Sequence, residues 1–435
     1  MNKISGQIIF NWAKDLFPLH RSITGQDLLK SLKYIKNRTP NFRINKVKTG
    51  TNIFDWVIPK EWSIKQAYIE EVNGKKIVDY KNNNLHVVGY SRPINKVISY
   101  ETLKKSIYSL PKQKKAIPYL TSYYKKTWGF CLTENLKKKL DKKKKYKVLI
   151  DSNYKNGHLY FGEIVLKGKS SKEIVFSCNI CHPSLANNEL SGPVVAMAVA
   201  KYLKSLNRFY SYRIIFVPET IGALSFLKKN EKNLKNIKAG FVLSCLGDPG
   251  NFFSIINSRY ANNYADLIAE ANLKLNNYKY KKFSYLKRGS DERQYCSPKF
   301  NLPFCTLNKT RFGDFSEYHT SLDNLNYINS KSLYKSFGMI KNLINLLEKN
   351  KKEKYFLANI KGEPFFHKYN LKKSLSGFNN TKLYIKTKTL IDVFSYCDGN
   401  NSLSQISKII KINIIDVRKA AKILKKLKIL KEVNE

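Results

Sequence analysis

The stretch Glu173–Lys204, EIVFSCNICHPSLANNELSGPVVAMAVAKYLK, constrains the fold more than any other part of the chain. Ile174, Val175 and Phe176 form the short apolar run of a buried strand. Ala196–Leu203 repeats its apolar residues at helical spacing. The polar loop between them holds His182, Asn187, Asn188 and Glu189 and closes on Ser191 and Gly192. A strand that stops at a histidine, then acidic and amide side chains, then a small-residue entry into a helix, is how α/β enzymes build sites. Ligands in such sheets bind beyond the carboxyl ends of the strands.

The same loop contains a false lead. Cys178, Cys181 and His182 spell C-x-x-C-H, the haem-attachment spacing. Covalent haem of that kind requires export, and MNKISGQIIFNWAKDLF lacks the apolar core and cleavage site of a signal peptide. Small apolar cysteines are common at the end of a buried strand. No second Cys or His pair follows at zinc-knuckle spacing.

Further strands follow the first. RIIFV (Arg213–Val217) ends at Pro218 and Glu219, and FVLSCL (Phe241–Leu246) ends at Gly247 and Asp248. Strands alternating with helices predict a mainly parallel sheet with helices on both faces. YKVLIDS and YFGEIVLKG read as paired strands joined at Asn156-Gly157. Lys287–Asp323 is loop-rich and carries Asp291, Glu292, Arg293, Asp314, Glu317 and His319. Long polar loops inside a compact α/β unit usually serve function. Ser330–Glu348 closes the unit as an amphipathic helix.

The flanks differ in character. Asn11–Phe17 and Leu28–Ile35 read as helices. The loop LHRSITGQD between them either joins the two or reaches the rim of the site. VNGKKIVDY (Val72–Tyr80) is a hairpin turning on Asn-Gly, and LHVVGYS (Leu85–Ser91) reads as another strand. YLTSYYKKTWGFCLT (Tyr119–Thr133) is aromatic and polar at once, which suits core plus turn or the wall of a substrate pocket. At the C-terminus, SLSQISKIIKI and IIDVRKAAKILKKLKIL follow at helix-turn-helix spacing, so a winged helix is expected. DNA reading would need Arg, Asn or Gln at base-facing positions. The second helix offers Arg418 and several lysines, and winged helices also serve as protein contacts. The expected organisation is an α/β domain over 1–40 and 131–350, an inserted β-rich domain over 41–130, a linker over 351–370 and a winged helix over 371–435.

Charge says less than its size suggests. The 435 residues carry 79 Lys+Arg against 32 acids, a net +47. The cations are overwhelmingly Lys, and Lys, Asn and Ile share AT-rich codons, so genome composition is the plainer cause. A nucleic-acid protein concentrates Arg and exposed aromatics in one patch. Weak polyanion binding follows from charge alone. Seven cysteines, an odd number without regular spacing, fit a reducing compartment. No apolar run is long enough for a bilayer. A cytoplasmic protein without membrane or specific nucleic-acid partners is expected, with self-association left open.

The chemistry lies at the strand ends. His182, Glu189, Glu219, Asp248 and His319 emerge from one edge of one sheet, although only six histidines occur in the chain. That mix of nitrogen and oxygen donors suits zinc. A carboxylate beside a metal-bound water can act as its general base. Each histidine has a plainer alternative, a satisfied structural role.

Taken whole, the chain resembles the aminopeptidase-like proteins found among bacterial polysaccharide and surface-glycan genes. The residues that carry this are LFPLHRSITG (Leu16–Gly25), FDWVIPKEW (Phe54–Trp62), IPYLTSYYKKTWGFCL (Ile117–Leu132), CHPSLANNELSGP (Cys181–Pro193), PETIGAL (Pro218–Leu224) and YHTSLDN (Tyr318–Asn324). The resemblance implies a zinc-aminopeptidase-like α/β domain, an inserted β domain and a C-terminal winged helix. More distantly, the core is similar to the co-catalytic zinc aminopeptidases. Carried over, His182 matches their first histidine, His319 their last, and Glu219 their general base. The departures are specific: Asn188 stands at the bridging aspartate, Thr220 at the second glutamate of the pair, and Ser244 nearest the later aspartate. The expected metal ligands are therefore His182, Glu189, Asp248 and His319, around one zinc ion rather than two. Asn188, Asp291, Arg293 and Tyr318 are the expected substrate contacts. The expected activity is hydrolysis of a peptide or amide bond. The alternative is a degenerate peptidase fold that binds a glycan or amino-sugar intermediate.

Overall fold

In the computed structural model, which describes residues 4–351, 354–366, 368–369, 371 and 387–433, eight strands make the central sheet. They are β1 (Phe42–Lys48), β2 (His158–Leu166), β3 (Glu173–Asn179), β4 (Ser211–Val217), β5 (Ile237–Leu243), β6 (Phe253–Ile256), β7 (Tyr280–Phe283) and β8 (Phe304–Asn308). The order is β1-β2-β4-β3-β5-β8-β6-β7. The four middle strands run parallel, and antiparallel pairs flank them at β1–β2, β2–β4 and β6–β8.

Period-two alternation explains why the middle is apolar throughout. On β3, Ile174, Phe176 and Cys178 join one core with the helices Gly6–Leu16, Ser191–Lys204 and Ser330–Lys349. Val175 faces the other way, into a core with Ile215, Val217 and the helix Ile221–Asn230. All seven residues of β4 are buried.

Two strand assignments differ from the sequence expectation. Lys145–Lys155 does not pair with β2: it pairs with Glu61–Glu71 and Ile94–Ser99 in a separate four-stranded antiparallel sheet. Tyr146, Val148 and Ile150 are buried there with Ala67, Ile69 and Val78. Asn156-Gly157 therefore links two sheets, and a Cβ at Gly157 would stand 2.1 Å from Glu61 Oε2. Conversely β1, expected in the insertion, pairs with β2 in the central sheet. The insertion thus runs later than 41–130 at both ends. The Asn73-Gly74 hairpin forms, with Ile69 opposite Val78. Leu85–Ser91 is not a strand: a 3-10 turn over Asn84–His86 leads to single bridges at Val87 and Gly89.

The C-terminal module has helices Thr387–Ser395, Leu403–Ile409 and Ile414–Lys426. A three-stranded sheet places Tyr355–Ala358 between Asp398–Ser402 and Leu430–Val433. Part of the expected linker 351–370 is thus the module's middle strand, and 372–386 lies outside the described residues. Ala271, from the helix Tyr264–Leu275, is buried in this module's core, so the module is docked on the α/β domain. Among the described residues no helix is long and apolar enough to cross a membrane.

Candidate active site

His182 stands just beyond β3, and its ring is fixed from behind. Nδ1 lies 2.6 Å from Glu189 Oε2. Glu189 Oε1 accepts the backbone N–H of His182 at 2.8 Å and that of Cys181. The carboxylate can turn back because residues Ala186–Leu190 make one wide helical turn before the helix Ser191–Lys204. Asp323 holds that turn, accepting the N–H groups of Asn187 at 2.6 Å and Asn188 at 2.9 Å. Gly192 lets the helix approach the sheet, since a Cβ there would meet the Leu243 carbonyl at 2.3 Å. Burial alone would lower the His182 pKa, but the Glu189 charge and hydrogen bond raise it. The same pairing overcomes burial at Glu189 and lowers its pKa.

Glu219 follows β4 and faces the free edge of that ring, with Oε2 3.6 Å from His182 Nε2. Its backbone N–H reaches Cys181 Sγ at 3.2 Å. The next residue, Thr220, has φ of +64°, a strained conformation for a β-branched side chain. Two loop residues hold it there. Asp291 Oδ1 accepts the Thr220 N–H at 2.7 Å, and the Arg293 guanidinium donates to Thr220 Oγ1 at 2.6 Å. Arg293 also lies 3.3 Å from Glu219 Oε1. Burial raises the Glu219 pKa, with His182 and Arg293 opposing in part.

His319 completes the cluster from the late loop, again with positive φ, +55°. Its ring centroid lies 5.4 Å from that of His182. Tyr318 stacks on it at 3.9 Å, and Tyr119 meets both histidines edge-on at 4.8 and 5.2 Å. Burial, and then the nearby His182, push its pKa down to about 3, so the ring is neutral. A cavity of about 10 Å³ lies between His182, His319, Glu219, Asn188, Ser244 and Tyr318. Glu219 also lines a second pocket of about 350 Å³ with Trp56, Tyr123, Tyr124, Thr220 and Arg293.

The expected residues therefore divide. His182, Glu219, His319, Asn188 and Tyr318 share the small cavity, and Arg293 lines the outer pocket. Glu189 does not face the histidine pair as an open donor: both its oxygens are occupied by His182 and the Cys181 backbone. Asp248 lies at its strand end as expected, but its carboxylate is taken by Gly250, Thr310 and Asn187. Asp291 is fully buried beneath Thr220 rather than open to a substrate.

Sequence reasoning passed over Arg21. It is fully buried, donates to the Leu16 carbonyl, and lies within electrostatic reach of Glu189 and Cys181. The only signal was an arginine in the LHRSITG loop of a chain with 11 Arg among 79 cations. The Tyr119–Thr133 segment proves to be a wall of the site: Tyr119 covers the histidines, and Tyr123 and Tyr124 line the outer pocket.

A largely parallel sheet with helices on both faces, an added antiparallel sheet and a terminal winged helix define an aminopeptidase-like α/β protein. The zinc aminopeptidase of Bacillus subtilis shares this fold, with a TM-score of 0.58 over 81% of this chain and 97% of that one at 13% identity. The chain belongs to the family described as a domain of unknown function (DUF4910), whose model matches residues 10–350; residues 354–432 match a winged helix-turn-helix model. It is 39% identical, over 93% of its length and 91% of the other's, to a Clostridium acetobutylicum protein named for polysaccharide biosynthesis with an aminopeptidase-like domain. A crystal structure from Clostridium acetobutylicum, described as that of a candidate peptidase, matches 98% of this chain and 96% of that one at 37% identity, with a TM-score of 0.80.

Proposed function

We propose that this chain is a zinc-dependent, aminopeptidase-like hydrolase of a peptide or amide bond, acting on a peptide-like or amino-sugar compound in surface-glycan metabolism. One observation carries it: His182 turns Nε2 to the cavity while Glu189 grips Nδ1, beside a neutral His319 and a Glu219 that lines the same cavity. A carboxylate on the far nitrogen is the usual support of a metal-ligating histidine.

One ion is proposed: among the described residues, Cys181, His182 and Glu189 bring their ligand atoms within 4.8 Å of one another, and His319 lines the same small cavity as His182. His182 Nε2 and His319 would hold it. A two-ion site needs further carboxylates, and Asn188 and Thr220 occupy two of those positions while Glu189 and Asp248 are engaged elsewhere. When bound, zinc polarises a carbonyl and acidifies water. The chain's own part is proton handling and placement. Glu219 reaches both the small cavity and the outer pocket, and burial raises its pKa, the direction that strengthens a general base. Arg293 and Asp291 fix the strained turn that aims it. Tyr119 keeps bulk water off the histidines.

The test is Glu219→Gln beside His319→Ala, assayed on aminoacyl amides and N-acyl amino sugars. Glu219→Gln should keep metal and thermal stability while turnover falls by about two to four orders of magnitude. His319→Ala should lose metal yet stay folded. Absence of about stoichiometric zinc in untagged protein, with none taken up on reconstitution, would reject the proposal.

Thr220 in place of a second glutamate favours one other reading, a binding protein on a degenerate peptidase fold. It would show ligand-induced thermal shifts without turnover. Cleavage lost in Glu219→Gln would exclude it.

A further inference from the structure

A cavity of about 820 Å³ lies where the winged-helix module meets the end of the helix Ser330–Lys349. The helix Ile414–Lys426 lines it with Arg418, Lys422, Lys425 and Lys426, which fall on one face at helical spacing. Lys349 and Lys351 line it from the α/β side, and Lys354 from the start of the module. Phe356 and Leu403, 3% and 2% exposed, supply an apolar floor.

The charge here is somewhat more one-sided than composition gives, and it is gathered on one concave surface. The whole chain has 79 cations to 32 acids. Here seven cations face a single acid, Glu432, a local balance of +6 (7 − 1). Glu432 is already shared between Lys354 at 2.8 Å and Lys425 at 2.5 Å. Lys349, Lys422 and Lys426 have no ion pair among the described residues. Gathering like charges on a concave, partly apolar surface raises the local field and concentrates anions there.

We infer that this interdomain cavity binds a small organic polyphosphate of the nucleoside di- or triphosphate kind. The cations would take the phosphates, Arg418 with its planar fork and the lysines as point charges. The aliphatic stems of the lysines, over the Phe356–Leu403 floor, would take the organic part. The volume lies in the range of small-molecule pockets and exceeds what a bare phosphate fills. Duplex DNA fits poorly, because the second helix of such a motif reads DNA by projecting into a groove. Here its basic face lines a cavity with Lys349 and Lys351 opposite, and the helix also packs against Tyr264–Leu275.

The experiment is calorimetric titration of the full-length protein with ADP, ATP, inorganic pyrophosphate and a 20-base-pair duplex at physiological salt. We expect saturable one-to-one binding of ADP and ATP. It should weaken by at least about tenfold in Lys422→Glu/Lys425→Glu and stay unchanged in Lys142→Glu/Lys143→Glu, an equal charge change on an exposed turn. Equal loss in both double variants would assign the binding to net charge and overturn the site. Tighter binding of the duplex than of the nucleotides would overturn the ligand class. Pyrophosphate binding as tightly as ADP would overturn the role of the apolar floor. No saturable binding of any phosphate compound would remove the proposal altogether.

Discussion

At the scale of single residues, Glu189 shows how a side chain's place can be read from the sequence while its partners cannot. Its position beside the histidine is plain in CHPSLANNEL, but no spacing rule says which ring nitrogen it will meet. The wide turn over Ala186–Leu190 brings it to Nδ1 and to two backbone amides, which leaves Nε2 for the cavity. Glu189→Gln should therefore keep His182 in place through one remaining acceptor but lower metal affinity by about 10–100-fold. Zinc titration against a competing chelator would measure it, and unchanged affinity would mean that the ring needs no such support. Asp248 teaches the converse. It reads as a strand-end ligand until Thr310, 62 residues later, folds over and claims its carboxylate.

At the scale of elements, the loop between the first two helices carries a pH-dependent cost. His20 is buried against Trp62 and Tyr80, and its Nδ1 has no partner. Burial, opposed in part by Asp27, lowers its pKa from 6.5 to about 4. The folded state therefore binds the proton less well than the unfolded chain. Stability should be intact above pH 6.5 and fall as pH drops from 6.5 toward 4, by up to about 3 kcal/mol from this group. His20→Phe should flatten part of that slope in chemical-denaturation curves collected across this range. An unaltered slope would place the proton uptake elsewhere, with the buried His319 the next group to examine.

The same scale shows what patterning can and cannot tell. Strands β3, β4 and β5 were legible because a run buried on both faces has one home, the middle of a parallel sheet. Lys145–Lys155 was legible as a strand but not as a member of the smaller sheet. Alternation reports which face is buried, and both sheets bury the same kind of residue. His182, Glu219 and His319 could be picked out because strand ends share one sheet edge. Arg21 could not, since nothing local distinguishes a buried guanidinium from a solvated one.

At the scale of the whole molecule, net charge and the basic cavity make separable demands. The +47 charge predicts retention on heparin or duplex DNA at low salt, irrespective of sequence. That retention should collapse steeply between about 50 and 200 mM salt, because it reflects counterion release alone. A sequence preference that survives physiological salt would instead assign the winged helix to DNA. The module's own position argues for a structural tie. Ala271 of the α/β domain is buried inside its core, so the two parts share hydrophobic surface rather than a bare tether.

The roof of the site is stitched to one of its floorboards. Tyr119 donates its backbone N–H to the His319 carbonyl at 2.8 Å, Ser321 returns a bond to Ile117 at 2.9 Å, and Pro118 bridges Thr320. A door hung on its own latch cannot swing without carrying the latch along. Any opening that lifts Tyr119 from the histidines must drag His319 with it, so entry to the site and the grip on the proposed zinc ion would become one motion. Exchange of bound metal should then quicken whenever the roof is loosened, for example by Ser321→Ala, which removes the hydroxyl that holds the Ile117 amide at 3.0 Å.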